Sequence, residues 1–142
     1  MSEHERAEPE IELLLRLNVQ TKALRSLAAT PLGDRAVVDV LGGDFTGDKL
    51  RGRVLASGGD WLTRTAAGSQ LDVRLVLETD DGVTLLFRYT GRASQRAGQP
   101  RIEVAGSFDA PDGAYGWLNH VQAFGLGVPS PAGVSYHLYR FK

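Results

Sequence analysis

Two carboxylates and an arginine share one face of a segment that reads as a strand. In LDVRLVLETDDGVTLLFRYTG, residues 71–91, Asp72, Arg74 and Glu78 alternate with Leu71, Val73, Leu75 and Leu77. After the turn Asp80-Asp81-Gly82, with glycine where a positive φ is wanted, the return strand sets Val83, Leu85, Phe87 and Tyr89 opposite the leucines. Thr84, Arg88 and Thr90 then stand opposite the charged row. If that row meets water, it is a set of surface ion pairs worth about 0–1 kcal/mol each. If it lines a closed cavity, desolvation and a positioned arginine separate the carboxylate pKa values. One of Asp72 and Glu78 is then a general acid or base, and Arg74 steadies negative charge on a carbonyl oxygen. The pattern leaves both arrangements open. Leucines pointing outward would instead demand a partner surface and predict a homo-oligomer.

A second constellation follows two glycines, where Ser57-Gly58-Gly59 reads as a tight corner leading into Asp60-Trp61. One reading is a turn aspartate beside a core tryptophan. The other puts both residues at a cavity mouth, with Asp60 as a proton-transfer group and Trp61 as an apolar wall. Tyr115, Trp117 and Asn119 lie in one turn-like segment that either forms the opposite wall, with Asn119 bonding a ligand carbonyl, or plugs the end of the fold. Phe87 and Tyr89 add further aromatic lining. His120 is a candidate acid or base, whereas His120 and His137 lack the spacing of a helical metal pair and His4 lies in the amino-terminal segment, so no metal site is expected.

These side chains must be positioned by short extended elements. From residue 10 to 19 the apolar run IELLLRLNV suits a buried strand or the start of a helix running through ALRSLAA, and the strand is preferred. Residues 35–41 and 49–55 read as strands separated by GGDFTGD. Residues 62–65 form a short extended piece, residues 92–100 a mobile loop, and residues 102–108 another strand. A helical turn near residues 115–119 precedes a final hairpin over residues 122–128 and 134–141. About eight strands with turn signals between them predict an all-β, closed antiparallel barrel, mostly up-and-down. The domain should span residues 10–142, after a disordered leader at residues 1–9.

Composition narrows the function classes. The chain has 142 residues, 42% of them hydrophobic, enough for one domain burying roughly 70% of its unfolded surface. It has no cysteine, which removes disulfides, thiolate catalysis and cysteine-held metals, and a cytoplasmic location is the expectation. No apolar run approaches the roughly 20 residues of a membrane span. A net charge of −1 gives no basic field for nucleic acid or anionic lipid. The glycine-rich GGDFTGDKLRG lacks the lysine-serine/threonine ending of a phosphate loop, no serine sits in a G-x-S-x-G turn, and DDG is too short for a calcium loop. Together these point to a small or neutral partner and no cofactor.

Three blocks, GGDFTGDKLRGRVLASGGDW, LDVRLVLETDDG and AYGWLN, together with the ending VSYHLYRF, resemble the bacterial DUF3237 (UPF0311) family. The resemblance implies a calycin-like or allene-oxide-cyclase-like barrel. Related barrels use the lumen to bind, and sometimes to isomerise or cyclise, hydrophobic small molecules. Where the family tends to carry tyrosine, phenylalanine and arginine, this chain has Arg101, Ile102 and Glu103. Glu103 thus reverses a charge at a candidate ligand-facing position. The expectation is a cofactor-independent isomerase, cyclase or lyase: Asp60, Asp72 or Glu78 moves a proton, Arg74 steadies an oxyanion, and Trp61, Phe87, Tyr89, Arg88, Glu103, Trp117, Asn119 and His120 surround the ligand. The alternatives are a non-catalytic binding barrel and a structural, oligomerising module.

Overall fold

A computed structural model describes residues 6–22 and 25–142, with the backbone alone for residues 25–28. The first five residues of the expected leader, with His4, lie outside it; residues 6–10 are exposed. Nine strands follow in chain order: β1 Ile11–Thr21, β2 Arg25–Thr30, β3 Gly33–Thr46, β4 Arg51–Thr65, β5 Gly68–Thr79, β6 Thr84–Arg96, β7 Gln99–Asp109, β8 Gln122–Ser130 and β9 Gly133–Phe141. Each pairs antiparallel with its neighbours in the order β1-β9-β8-β7-β6-β5-β4-β3-β2, and β1 also pairs with β3. Eight strands therefore close a barrel. β1 covers β3 from Val40 to Thr46, and β2 covers β3 from Gly33 to Val37, so β2 prolongs the seam beyond the closed ring.

Closure decides the orientation that alternation left open. An eight-stranded barrel has an interior just wide enough to be filled by side chains, so the continuous apolar face must turn inward. Leu71, Val73, Leu75 and Leu77 are buried, as are Leu85, Phe87 and Tyr89 opposite them, at the expected register Val73↔Tyr89, Leu75↔Phe87 and Leu77↔Leu85. The inward leucines remove the reason the sequence offered for an oligomer.

The two ends of the barrel differ. At one end, the 3₁₀ turn Gly116–His120 lies across the opening and buries Leu118 completely against the core. Asn119 anchors that turn by accepting from the Ala110 N–H at 2.8 Å and donating to its carbonyl at 2.9 Å. The Tyr115 hydroxyl donates to the Asp81 carboxylate at 2.7 Å, tying the same segment to the β5–β6 turn. At the other end lie the hairpin turns between β4 and β5, β6 and β7, and β8 and β9.

Three expectations are corrected. The GGDFTGD segment does not end a strand, because β3 runs on to Thr46 with Gly43 paired to both Val19 and Val54. Ser57-Gly58-Gly59 is no corner: β4 bulges outward there, with Leu55, Ala56 and Ser57 standing opposite the single residue Val76. Gly58 sits at φ 86°, where a Cβ would collide with the Arg74 carbonyl oxygen. Residues 92–100 are no loop, because β6 and β7 pair as far as Arg96↔Gln99 and leave only Ala97-Gly98 to turn. Among the described residues no helix is long and apolar enough to cross a membrane.

Candidate active site in the open end of the barrel

The lumen is packed solid toward the capped end, where Phe45, Leu75, Leu77, Leu85, Phe87 and Leu118 are each at most 2% exposed. Toward the open end it widens into a cavity of about 460 Å³. Stacked and tilted rings lead from one region to the other: Phe108 on Phe87 at 4.3 Å, Phe87 to Tyr89 at 5.2 Å, and Tyr89 edge-on to Tyr136 at 5.3 Å between centroids. The walls are mostly aliphatic, with Val19, Val38, Val40, Leu62, Leu71 and Ile102 among them. A volume of this order suits a small organic molecule.

Asp60 is the carboxylate in this cavity, and local strand geometry explains its position. Below the β4 bulge the side chains resume strict alternation, so Asp60, Leu62 and Arg64 point inward while Trp61 points out. Between the pairs Asp60↔Val73 and Thr63↔Gln70 the β4–β5 ladder lapses, which leaves the Asp72 N–H free of a strand partner. Asp60 Oδ1 accepts that N–H at 3.0 Å. Its second oxygen has no hydrogen-bond partner among the described residues.

Burial dominates the electrostatics. Desolvation raises the Asp60 pKa from the ordinary 3.8 to about 6, against the lowering influence of the Asp72 N–H, and the Asp72 carboxylate adds a smaller upward push. Burial likewise holds Tyr89 well above the usual phenol range and pushes Tyr136 up to about 12, with the Asp60 charge contributing to both. Both are therefore neutral at physiological pH. Tyr136 lines the cavity, where its O–H can serve a ligand. A carboxylate of raised basicity beside a neutral phenol donor can take a proton from one atom while the phenol bonds the oxygen that gains negative charge.

Of the residues singled out by sequence, Asp60 and Tyr89 meet in this cavity, and Phe87 lies in the packed core beneath it. The others do not. Asp72, Arg74 and Glu78 face outward because the leucines between them fill the lumen. Glu78 pairs there with Arg53 at 2.9 Å, and Arg74 stands directly across from Arg88, which is also exposed. Trp61, adjacent to Asp60, is 42% exposed by the same alternation and lines an outer groove with Arg35 and Arg92. Glu103 is exposed and pairs with Arg101 at 3.0 Å, so the charge reversal lies outside the lumen.

At the capped end, Asn119 uses its side-chain oxygen and one amide N–H to hold Ala110, and it does not line the cavity. Trp117 lies between Lys49 and Arg140, whose cations sit 5.6 and 5.3 Å from its ring. His120 is exposed, as is His137 on the outer face of β9. Among the described residues no three of His, Asp and Glu are grouped to hold a metal. The cavity also contains Tyr136, Lys22 and Arg64, which sequence reasoning did not select. Carrying the inward alternation into VSYHLYRF would have found Tyr136, two positions before the inward Leu138.

Solved structures share this fold. A β-barrel-like protein from Acinetobacter baumannii is 25% identical over 99% of this chain and 100% of that one, with a TM-score of 0.91. A conserved protein of unknown function from Rhodopseudomonas palustris is 17% identical over 96% of this chain and 100% of its own, at 0.89. An enzyme from Penicillium herquei is 23% identical over 97% and 98% of the two chains, at 0.75. A comparison with curated proteins finds no match. The model of a family described as proteins of unknown function, DUF3237, matches residues 9–141, and the chain belongs to that family.

Proposed function

We propose that the protein is a cofactor-independent enzyme that isomerises, cyclises or eliminates from a small hydrophobic or aromatic molecule held in the barrel lumen. The observation that carries this reading is a single carboxyl group, Asp60, whose burial raises its pKa to about 6 in an apolar cavity that also contains two neutral phenols. A lumen serving only to hold a ligand has no need of a carboxyl tuned toward neutral pH. The enzyme from Penicillium herquei with the same fold is in keeping with catalysis on this scaffold.

In the proposed reaction, the free Asp60 oxygen takes a proton from a C–H group adjacent to a carbonyl. The electron pair moves onto the carbonyl oxygen, which Tyr136 steadies by donating its O–H. Protonated Asp60 then returns the proton at another atom, or to a leaving group. Oδ1, fixed by the Asp72 N–H, holds the carboxyl in place through both steps.

The test is proton exchange, which requires no knowledge of the product. Enolisable bicyclic ketones, 2-tetralone among them, are incubated in D2O and the loss of the α-proton signal is followed by proton NMR. The wild-type protein should exchange the signal faster than buffer, and Asp60→Asn should lower the rate by about 10²-fold or more. Exchange at the buffer rate across the panel, or equal exchange by Asp60→Asn, refutes the reading.

A further inference from the structure

The ionisable groups of the cavity are ordered along its depth. Asp60, Leu62 and Arg64 occupy successive inward positions on β4, rising from the floor to the turn that leads into β5. At about 3.3 Å per residue, roughly 13 Å of strand separates Asp60 from Arg64. Lys22, just beyond the end of β1, joins Arg64 at the mouth, and its N–H bonds the Asp39 carbonyl at 2.9 Å, which fixes its backbone against β3. Both cations are exposed, and among the described residues neither is in an ion pair with a carboxylate. Between the acid floor and the basic rim the walls are aliphatic, from Leu62 and Leu71 to Val134.

We infer that the molecule accepted by this lumen is an amphipathic anion, whose apolar body fills the cavity and whose carboxylate stays at the mouth between Arg64 and Lys22. The inference rests on the lumen being the reaction site and names the class of substrate it takes. Two features impose the orientation. A carboxylate at the floor would meet the Asp60 charge in a poorly solvated space, whereas at the rim it meets two cations while remaining hydrated. The reacting carbonyl or hydroxyl group must then lie at the opposite end of the molecule, beside Asp60 and Tyr136. The same geometry rejects neutral molecules of equal shape only weakly, because rim ion pairs are screened by water.

Biphenyl-4-carboxylate and its neutral isostere biphenyl-4-carboxamide span about this depth. Their affinities are compared by calorimetry at pH 8 and low salt, for the wild type and for the double variant Lys22→Gln/Arg64→Gln. The acid should bind the wild type about three- to tenfold tighter than the amide, and 0.5 M sodium chloride should erode that preference. In the double variant the two ligands should bind alike, and a urea-unfolding transition like that of the wild type shows that the variant is folded. Equal binding by the wild type, or a preference that survives the double substitution, overturns the inference and leaves the lumen as a neutral binding site. Binding of neither compound overturns the lumen reading along with it.

Discussion

Replacing Asp60 by asparagine should stabilise this protein, and by an amount that depends on pH. The folded-state pKa is about 6, against the ordinary 3.8 of an aspartate exposed in the unfolded chain. Between those values the folded state holds a proton that the unfolded state has released, so stability falls as pH rises through the window. Below about pH 4 both states are protonated and no penalty exists. Above about pH 7 the whole penalty is present. The rise corresponds to about 3 kcal/mol, an upper figure because the carboxyl is only partly buried. Asparagine keeps an oxygen to accept the Asp72 N–H and carries no charge to desolvate. Urea unfolding of both proteins from pH 4 to pH 8 should show nearly equal stability at pH 4 and an advantage for Asp60→Asn of about 2–3 kcal/mol at pH 8. The other carboxyl groups are common to both proteins and cancel in the difference. A difference that stays constant over the range, or a variant less stable at pH 8, would refute the placement of Asp60 in a desolvated site.

Other substitutions separate the lumen from its frame. Gly127→Ala puts a Cβ at 2.6 and 2.7 Å from two Tyr136 ring carbons, which should push that ring into the cavity. A loss of about 1–3 kcal/mol in urea unfolding and weaker binding of lumen ligands are expected. Glu78→Gln removes only the outer-face pair with Arg53, so it should cost up to about 1 kcal/mol and leave ligand affinity in calorimetry untouched. Asn119→Ala releases the 3₁₀ turn from Ala110, lowering stability by about 1–2 kcal/mol in thermal melts without changing lumen affinity. Leu118→Ala, at a fully buried position, should cost about 2–5 kcal/mol by the same measure.

Alternation was readable wherever a strand carried one residue per position. The leucines of β5 and the Val83–Tyr89 return needed no other information, and the hairpin register follows from its short turn. The side that faced inward was a property of closure, made by β1 meeting β3, a contact between segments with no local signature. An eight-stranded ring has too little room to enclose a row of charges as well as the apolar side chains, and applying that limit earlier would have sent Asp72, Arg74 and Glu78 outside. The bulge at Leu55, Ala56 and Ser57 was misread as a corner because glycine signals both. Asp60 and Trp61 could not share a wall, since adjacent strand residues point to opposite faces. Polar composition concealed the strands across residues 92–100, where barrel strands extend past the core and both faces meet water.

The central claim is that a desolvated Asp60 carboxyl works at the floor of the open lumen. A carbon-13 NMR titration of the aspartate side-chain carboxyls, with the Asp60 signal assigned by its absence from Asp60→Asn, measures this directly. A midpoint near pH 6 is expected for that one resonance. A midpoint near the ordinary 3.8 would contradict it, because the carboxyl would then be fully hydrated and unsuited to exchange protons with a substrate at neutral pH.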